Sequence, residues 1–355
     1  MRIHRTLAAV IAKVSGPTTP AANTPVAPAS TFTPASVPGA GVNGARAALA
    51  KAYVQGQAAL PKELATALVT GVSTRRTAKA EGSEGWLGVA HVRNFVTVFS
   101  ASSATDRSSF QKAFAAAKPQ QQWVLLKAAA ARGLKAATSF ATKIAPLSPA
   151  QLLVRTTLID LDQADRKNSG LAQRWSGSCV PTSMQIALGE ADPIFAFDAT
   201  TNVLNDGAAR DALATQEKQL LEGHGGVAVG RDAKGGAGIA YADIAKVAAE
   251  LLGAATKEKF DAVSLDYLPP AQRQKRLQLV AALLEDGRDV PVTIPGHCML
   301  LTDTRVGTDQ VRRFLLQDPW AGTSLWVTES QLARDSFDLA NFASHTNLNN
   351  LYLPS

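Results

Sequence analysis

The segment Gln173-Arg-Trp-Ser-Gly-Ser-Cys179-Val-Pro-Thr-Ser places a cysteine at the predicted start of a helix. Pro181 suits a first helical turn, where its missing N–H costs nothing, and Met184 and Leu188 continue an apolar face. The unpaired N–H groups at a helix N-terminus favour a thiolate over a thiol. A lone cysteine at such a place is often structural, so the prediction that Cys179 is a nucleophile depends on partners elsewhere in the chain.

A histidine and a carboxylate follow far downstream, in a pattern typical of antiparallel strands. His297 follows Ile294-Pro-Gly and opens one predicted strand, and Asp318 ends the next one, before Pro319. If the two strands are adjacent, Asp318 lies beside His297 and orients an imidazole that accepts a proton from the thiol. Asp303 is the weaker partner, because it lies about 20 Å along the same extended strand as His297.

Gln173 and Cys298 complete the set of residues near the predicted site. The side-chain amide of Gln173 and the backbone N–H of Cys179 are the predicted donors to an oxyanion. Cys298 follows His297 directly, and side chains alternate along a strand, so we interpret it as a packing residue on the opposite face. A histidine at a strand start is usually only hydrogen bonded or exposed, so the prediction depends on all four site residues converging.

The order Gln-x5-Cys-x-Pro-Thr-Ser, Gly-His and Asp-Pro-Trp-x-Gly resembles the papain-like cysteine peptidases of the bacteriocin-processing branch, which remove double-glycine leaders. The resemblance covers about residues 165–335. It implies Cys179 as nucleophile, His297 as general base and acid, Asp318 as the residue that orients the histidine, and Gln173 as oxyanion donor. Val180 departs from the pattern, because the family usually has glycine there. A transporter module is not found in the sequence, so a leader-peptide substrate does not follow.

Three regions and an α+β fold are expected. Residues 1–43 are rich in Pro, Ala and Thr and predict a disordered leader. Residues 44–162 are Ala-rich with helical spacing and predict a basic α-helical bundle domain. Residues 163–355 show helices and then a run of strands, and here the resemblance implies a papain-like cysteine peptidase domain.

Charge is divided unequally along the chain. Residues 1–160 carry 18 Lys and Arg against 5 Asp and Glu, whereas residues 161–355 carry 18 against 24, and the chain has a net charge of +7. We therefore predict either that the basic half docks on the acidic half and covers the cleft as an inhibitory domain, or that the halves have different partners. The alternative is that the surface lysines are distributed by chance and have no such role.

Several other classes of site have little support. The two cysteines exclude a disulfide framework and a thiolate zinc cluster. We predict no cofactor and no metal, since His4, His91 and His345 lack ligands at metal spacing. Arg75-Arg76 lacks interleaved aromatic residues, and nucleic-acid binding is not predicted. The glycine-rich segment 223–238 lacks the phosphate-loop pattern and predicts a flexible surface loop, at most a flap over a cleft.

The leading hypothesis is a cysteine hydrolase that cleaves a peptide or isopeptide bond in a protein or peptide substrate. The alternatives are acyl transfer of the transglutaminase or deamidase type at the same site, and a non-enzymatic interaction protein with an inactive papain-like module. The sequence contains no apolar stretch of the ~18 residues that a membrane span needs. The expected location is the cytoplasm, or outside the cell by a route without a cleaved signal peptide.

Overall fold

The described residues form thirteen helices, a six-stranded antiparallel sheet and a small two-stranded sheet. The computed structural model describes residues 42–55, 60–73, 87–158, 171–203, 207–231, 233–320, 322–337, 339 and 347–355. The helices are α1 Val42–Gln55, α2 Lys62–Ser73, α3 Val89–Ala101, α4 Ala104–Ala116, α5 Pro119–Arg132, α6 Leu134–Ile144, α7 Pro149–Thr156, α8 Cys179–Ala191, α9 Pro193–Val203, α10 Gly207–Gly223, α11 Tyr241–Thr256, α12 Pro270–Glu285 and α13 Glu329–Ala333. The strands are β1 Trp175–Ser176, β2 Val229–Gly230, β3 Phe260–Ser264, β4 Val290–Ile294, β5 His297–Val306, β6 Arg312–Asp318, β7 Thr323–Thr328 and β8 Asn350–Pro354.

Helices α1 to α7 form the basic half, and local signals set their ends. The Ser148 hydroxyl caps α7 by accepting from the Gln151 backbone N–H at 3.3 Å, and proline occupies the first turn of both α5 and α7. Gly133 separates α5 from α6 with φ +87°, a conformation that favours glycine. Stacked and tilted phenylalanine rings fill the core of this half, with Phe95 and Phe110 at a centroid distance of 5.7 Å. Among the described residues 42–55, 60–73 and 87–156, the regular secondary structure is therefore entirely helical.

The sheet has the order β3-β8-β4-β5-β6-β7, and every described pairing is antiparallel. Alternate strand residues pack into two different cores. One core holds Cys298 and Leu300 against α8 and α11, and the other holds Met299 and Leu301 against α12 and α13. The sheet is thus buried between helices on both faces, and the α+β prediction is confirmed at that level.

Most elements predicted for the second half are observed, and several further ones were missed. Strands β4 to β8 lie where the alternating pattern predicts strands, at 289–294, 297–303, 311–317, 324–327 and 350–353, and β5 continues to Val306. The pattern missed α9 Pro193–Val203, in which aromatic and β-branched residues weaken the helical signal. It also missed β3 Phe260–Ser264, where Asp261 interrupts the apolar run, and the two-residue strands β1 and β2.

The two halves contact each other through pairs of opposite charge. In each of three described pairs the cation comes from the basic half: Arg93 with Glu258, Arg132 with Asp192, and Lys143 with Asp198. The backbone also approaches closely, because a Cβ on Gly88 would lie 1.8 Å from the Asp286 carbonyl oxygen. The basic and acidic halves are therefore in contact through ion pairs within one chain.

These contacts lie at the end of α8 that is remote from Cys179. An open cavity at the boundary is lined by His91 of the basic half and by Glu190 in the last turn of α8. Glu190 is 11 residues from Cys179, which corresponds to about 17 Å along a helix. The described contacts between the halves therefore do not form the inhibitory cover over the nucleophile that the charge pattern suggested.

Some predictions fall on residues outside the described ranges. These are nearly all of the leader 1–43, the Arg75-Arg76 pair, His4 and His345. Among the described residues, no helix is long and apolar enough to cross a membrane. Within the same ranges, no group of three or more His, Cys, Asp or Glu side chains is placed to hold a metal ion.

Candidate active site

The predicted nucleophile is the first residue of α8. Gly177 precedes it with φ +81°, and a Cβ there would lie 2.7 Å from the Ala237 carbonyl oxygen, so the turn requires glycine. Cys179 is 7% exposed, and its backbone N–H belongs to the first turn, where no helical carbonyl accepts it. The sequence prediction of a cysteine that opens a helix is confirmed.

His297 and Asp318 form a buried pair next to this cysteine. Their strands β5 and β6 are adjacent and antiparallel, as predicted. His297 Nε2 lies 2.8 Å from Asp318 Oδ1, which also accepts from the Trp320 backbone N–H at 2.9 Å. Cys179 lies close enough to interact electrostatically with His297, and since Nε2 faces Asp318, Nδ1 is the nitrogen left for the thiol. The sulfur, the imidazole and the carboxylate therefore lie in the order that a proton relay requires.

The surroundings of His297 favour its protonated form. Burial by itself lowers the pKa of His297, but the hydrogen bonds and charges of Asp318 and Cys179 raise it to about 9. His297 is 3% exposed and Asp318 4%, so both partners act where water screens little. An imidazole that holds a proton at neutral pH is suited to stabilise a neighbouring thiolate and to protonate a leaving group.

Gln173 lies beside the turn that follows Asp318. Its backbone N–H donates to the Pro319 carbonyl at 2.7 Å, so the segment before the nucleophile and the turn after β6 are joined. Its side-chain Nε2 donates to the Trp175 carbonyl at 2.8 Å, and its Oε1 is buried without a hydrogen-bond partner. One of the two amide N–H groups is thus used within the loop, and the other is left for a further acceptor.

Glu217 of α10 contacts this segment and was missed by the sequence analysis. Its Oε1 accepts from the backbone N–H groups of Arg174 at 2.7 Å and Trp175 at 3.2 Å, and the Ser178 hydroxyl donates to the same oxygen. Burial raises the pKa of Glu217, and these hydrogen bonds oppose the rise. A single acidic residue in a helical pattern gives no signal for such a role, since most of them face solvent.

The turn before His297 is held by a tyrosine. The Tyr241 hydroxyl accepts from the Gly296 backbone N–H at 2.8 Å and donates to the Ile294 carbonyl at 3.1 Å. Both bonds fix the tight β4–β5 connection from which His297 emerges. Tyr241 begins α11, and the Tyr352 hydroxyl of β8 donates to its carbonyl oxygen at 3.1 Å. The position of the imidazole therefore depends on α11 as well as on the sheet.

The glycine-rich segment 223–238 is attached to the candidate site and is not a free loop. Strand β2 pairs with β1, which joins it to the residues just before Cys179, and Val227 forms an isolated bridge with Ala237. Arg231 lies over the Trp320 ring at 5.6 Å from its centroid. His224, at the end of α10, contacts Glu250 through Nε2 at 2.9 Å. The segment thus contacts both the residues just before Cys179 and the turn that follows Asp318.

Three other residues considered in the sequence make packing or local contacts. Cys298 is 1% exposed, and burial raises the pKa of its thiol, as expected of a packing residue. Val180 is also buried, in the core between α8 and the sheet, so its side chain fills that core. Asp303 accepts from the Thr304 backbone N–H and lines the cavity between the halves. Of the two aspartates considered, Asp318 is the one that contacts His297.

Comparison with known proteins finds no matching protein family, no similar curated protein and no similar solved structure. A function for the chain therefore depends on its own residues and their geometry.

Proposed function

We propose that the protein is a papain-like cysteine hydrolase, which cleaves a peptide or isopeptide bond through an acyl-enzyme at Cys179. The observation that carries the proposal is the buried relay, in which His297 Nε2 lies 2.8 Å from Asp318 Oδ1 and Cys179 lies beside the imidazole. The order of these residues along the chain agrees with the sequence resemblance to the bacteriocin-processing branch.

The first half of the reaction forms a thioester. The Cys179 sulfur attacks the substrate carbonyl carbon while His297 holds the thiol proton, and a C–S bond forms. The negative oxygen of the intermediate is stabilised by the Cys179 backbone N–H and by the second amide N–H of Gln173. When the C–N bond breaks, His297 delivers its proton to the departing amine.

The second half releases the acyl group. His297 accepts a proton from water as the water oxygen attacks the thioester carbon, and the C–S bond then breaks. The product is a carboxylic acid, and the thiolate is left beside the protonated imidazole. Asp318 holds Nε2 throughout and stabilises the positive charge on the ring. An amine acceptor in place of water would turn the same steps into acyl transfer.

Reactivity of the thiol tests the proposal without knowledge of the substrate. Iodoacetamide at neutral pH should label Cys179 faster than the buried Cys298 by at least about 100-fold, because the imidazolium stabilises the Cys179 thiolate. His297→Ala should remove that difference, whereas Cys298→Ala should leave Cys179 labelling unchanged. Equal labelling of the two cysteines, with no effect of His297→Ala, would show an inactive module and favour the interaction-protein alternative.

The fate of the acyl group separates hydrolysis from transfer. A glutamine-containing protein is incubated with the enzyme, with and without a primary amine, and its mass is measured. Hydrolysis gives two fragments, deamidation adds about 1 Da, and transfer adds the mass of the amine less ammonia. Cleavage that disappears in Cys179→Ala supports the hydrolase, whereas an amine adduct without cleavage would replace it with the transferase.

A further inference from the structure

Helix α10 contacts the segment between Gln173 and Cys179 at several points. In addition to the three hydrogen bonds that Glu217 accepts, the Trp175 indole N–H donates to the Ala214 carbonyl at 2.8 Å. Lys218 lies over the Trp175 ring at 5.3 Å from its centroid. These contacts come from successive turns of one helix, so the segment is attached to a rigid element.

The contacts of Glu217 continue to the predicted oxyanion donor. Glu217 holds the backbone N–H of Trp175, and the carbonyl of the same residue accepts from Gln173 Nε2 at 2.8 Å. The Ser178 hydroxyl has a single proton, which it can donate either to Glu217 or to that carbonyl at 2.7 Å. The direction of the Gln173 amide therefore depends on the Trp175 carbonyl, and Glu217 holds the backbone N–H of that same residue.

A carboxylate is the acceptor suited to this place. Two N–H groups and one hydroxyl converge on a single oxygen of Glu217, and a charged acceptor binds such donors about twice as strongly as a neutral one. Glu217 is 3% exposed. Burying an acidic side chain is unfavourable unless its hydrogen bonds compensate, so a merely structural role for α10 would be served as well by an apolar residue.

We propose that Glu217 is a positioning residue for the oxyanion site, which acts through Trp175 and Ser178 on the Gln173 amide and the Cys179 N–H. It touches neither the sulfur nor the imidazole in the described contacts. The inference rests on the proposed thiol chemistry, and it assigns to Glu217 a part in acyl transfer to sulfur that is separate from activation of the thiol.

Two small reagents separate these two parts of the chemistry. p-Nitrophenyl acetate acylates Cys179: a C–S bond forms through a tetrahedral oxyanion, and p-nitrophenolate leaves. Iodoacetamide alkylates the same sulfur: a C–S bond forms at a saturated carbon, iodide leaves, and no oxyanion arises. Glu217→Gln should lower the rate of acylation about 10- to 100-fold, because a misplaced donor loses most of its effect. The rate of alkylation should change by less than about 3-fold, because it needs only the thiolate.

Control variants distinguish positioning from general damage. Glu222→Gln changes an acid on the same helix, with a side chain 49% exposed, and should leave both rates as in the wild type. Ser178→Ala removes one donor to Glu217 and should lower acylation selectively but less; it serves as the test if Glu217→Gln does not fold. In a Gln173→Ala background, Glu217→Gln should lower acylation much less than in the wild type, because the two residues act as a unit.

The outcomes are separable. A parallel fall in both rates, or no fall in either, would overturn the role of Glu217 while the wild-type thiol remains reactive. If the wild-type Cys179 reacts with neither reagent faster than Cys298, the proposed function fails first, and the role of Glu217 fails with it.

Discussion

Asp192 provides the most direct test of how contacts between the two halves stabilise the C-terminal end of α8. It lies directly after α8, it is fully buried, and its Oδ2 contacts Arg132 Nε across the boundary. Its Oδ1 accepts from the backbone N–H groups of Ile194 at 3.0 Å and Phe195 at 3.3 Å, and so caps α9. Asp192→Ala removes the cap and leaves a cation without its partner.

The magnitude follows from these contacts. Loss of the cap costs about 1 kcal/mol. Breaking a buried ion pair costs roughly 3–5 kcal/mol, but the Arg132 side chain is 22% exposed and regains some water, so about 2 kcal/mol is expected. The free energy of unfolding should therefore fall by about 3 kcal/mol in Asp192→Ala. In Asp192→Asn, which retains the cap, it should fall by less, because burial disfavours the charge that this substitution removes.

Urea unfolding, followed by circular dichroism and tryptophan fluorescence, measures these changes and shows whether the halves unfold together. Asp198→Ala is the matched control, because its partner Lys143 is 51% exposed and such a pair is worth under about 1 kcal/mol. A loss below about 1 kcal/mol in Asp192→Ala would refute the reasoning. Burial raises the pKa of Asp192 despite the charge of Arg132. The ionised carboxylate thus contributes less than its contacts suggest, and the wild-type advantage over Asp192→Asn should grow as the pH falls through that raised pKa.

Asp318→Asn removes a partner that helps raise the pKa of His297 to about 9. NMR titration of the imidazole should therefore give a lower pKa in this variant, and an unchanged pKa would contradict the relay. Because the folded state favours the protonated ring, His297 stabilises the fold below its ordinary pKa of 6.5, and this contribution is lost as the pH rises through about 9. Urea unfolding should therefore show a larger deficit for His297→Gln at about pH 6 than at about pH 10. Arg231→Ala removes the contact of the glycine-rich segment with Trp320 and should speed iodoacetamide labelling of Cys179 by about 3-fold or more. A slower rate would show that this segment does not restrict access to Cys179. Tyr241→Phe removes a hydroxyl that bridges the turn before the histidine and should cost about 1–2 kcal/mol in urea unfolding; a neutral result would show that the turn is held by other contacts.

Local patterns were sufficient to predict the strands that carry the site. The alternation after His297 and the proline after Asp318 mark one strand start and one strand end, and short connections make neighbouring antiparallel strands pair. The start of α8 at Cys179 follows from Pro181 and the apolar positions behind it. These signals lie within a few residues of the side chains concerned, so they can be recognised without knowledge of the tertiary structure.

The contacts that organise the site depend on residues far apart in the chain. Glu217 meets Arg174 across 43 positions, and no local feature of a helix indicates which of its acids will be buried. Strands β1 and β2 have two residues each, too few to show any periodicity. The order of the sheet is equally hidden, because the short β8 pattern does not reveal that the strand lies between β3 and β4.

That interior place of β8 has a consequence for how the protein folds. Strands β4 to β7 form a meander that can pair as soon as it is synthesised. In the described sheet, β3 pairs only with β8, and β8 also pairs with one side of β4. Until residues 350–354 are synthesised, β4, which leads to His297, has one unpaired edge. Such long-range closure is slow and leaves the chain open to association with other copies. The rate of folding is therefore expected to depend on the filling of this central gap, and changes in β8 should reduce the yield of folded protein before they alter its chemistry.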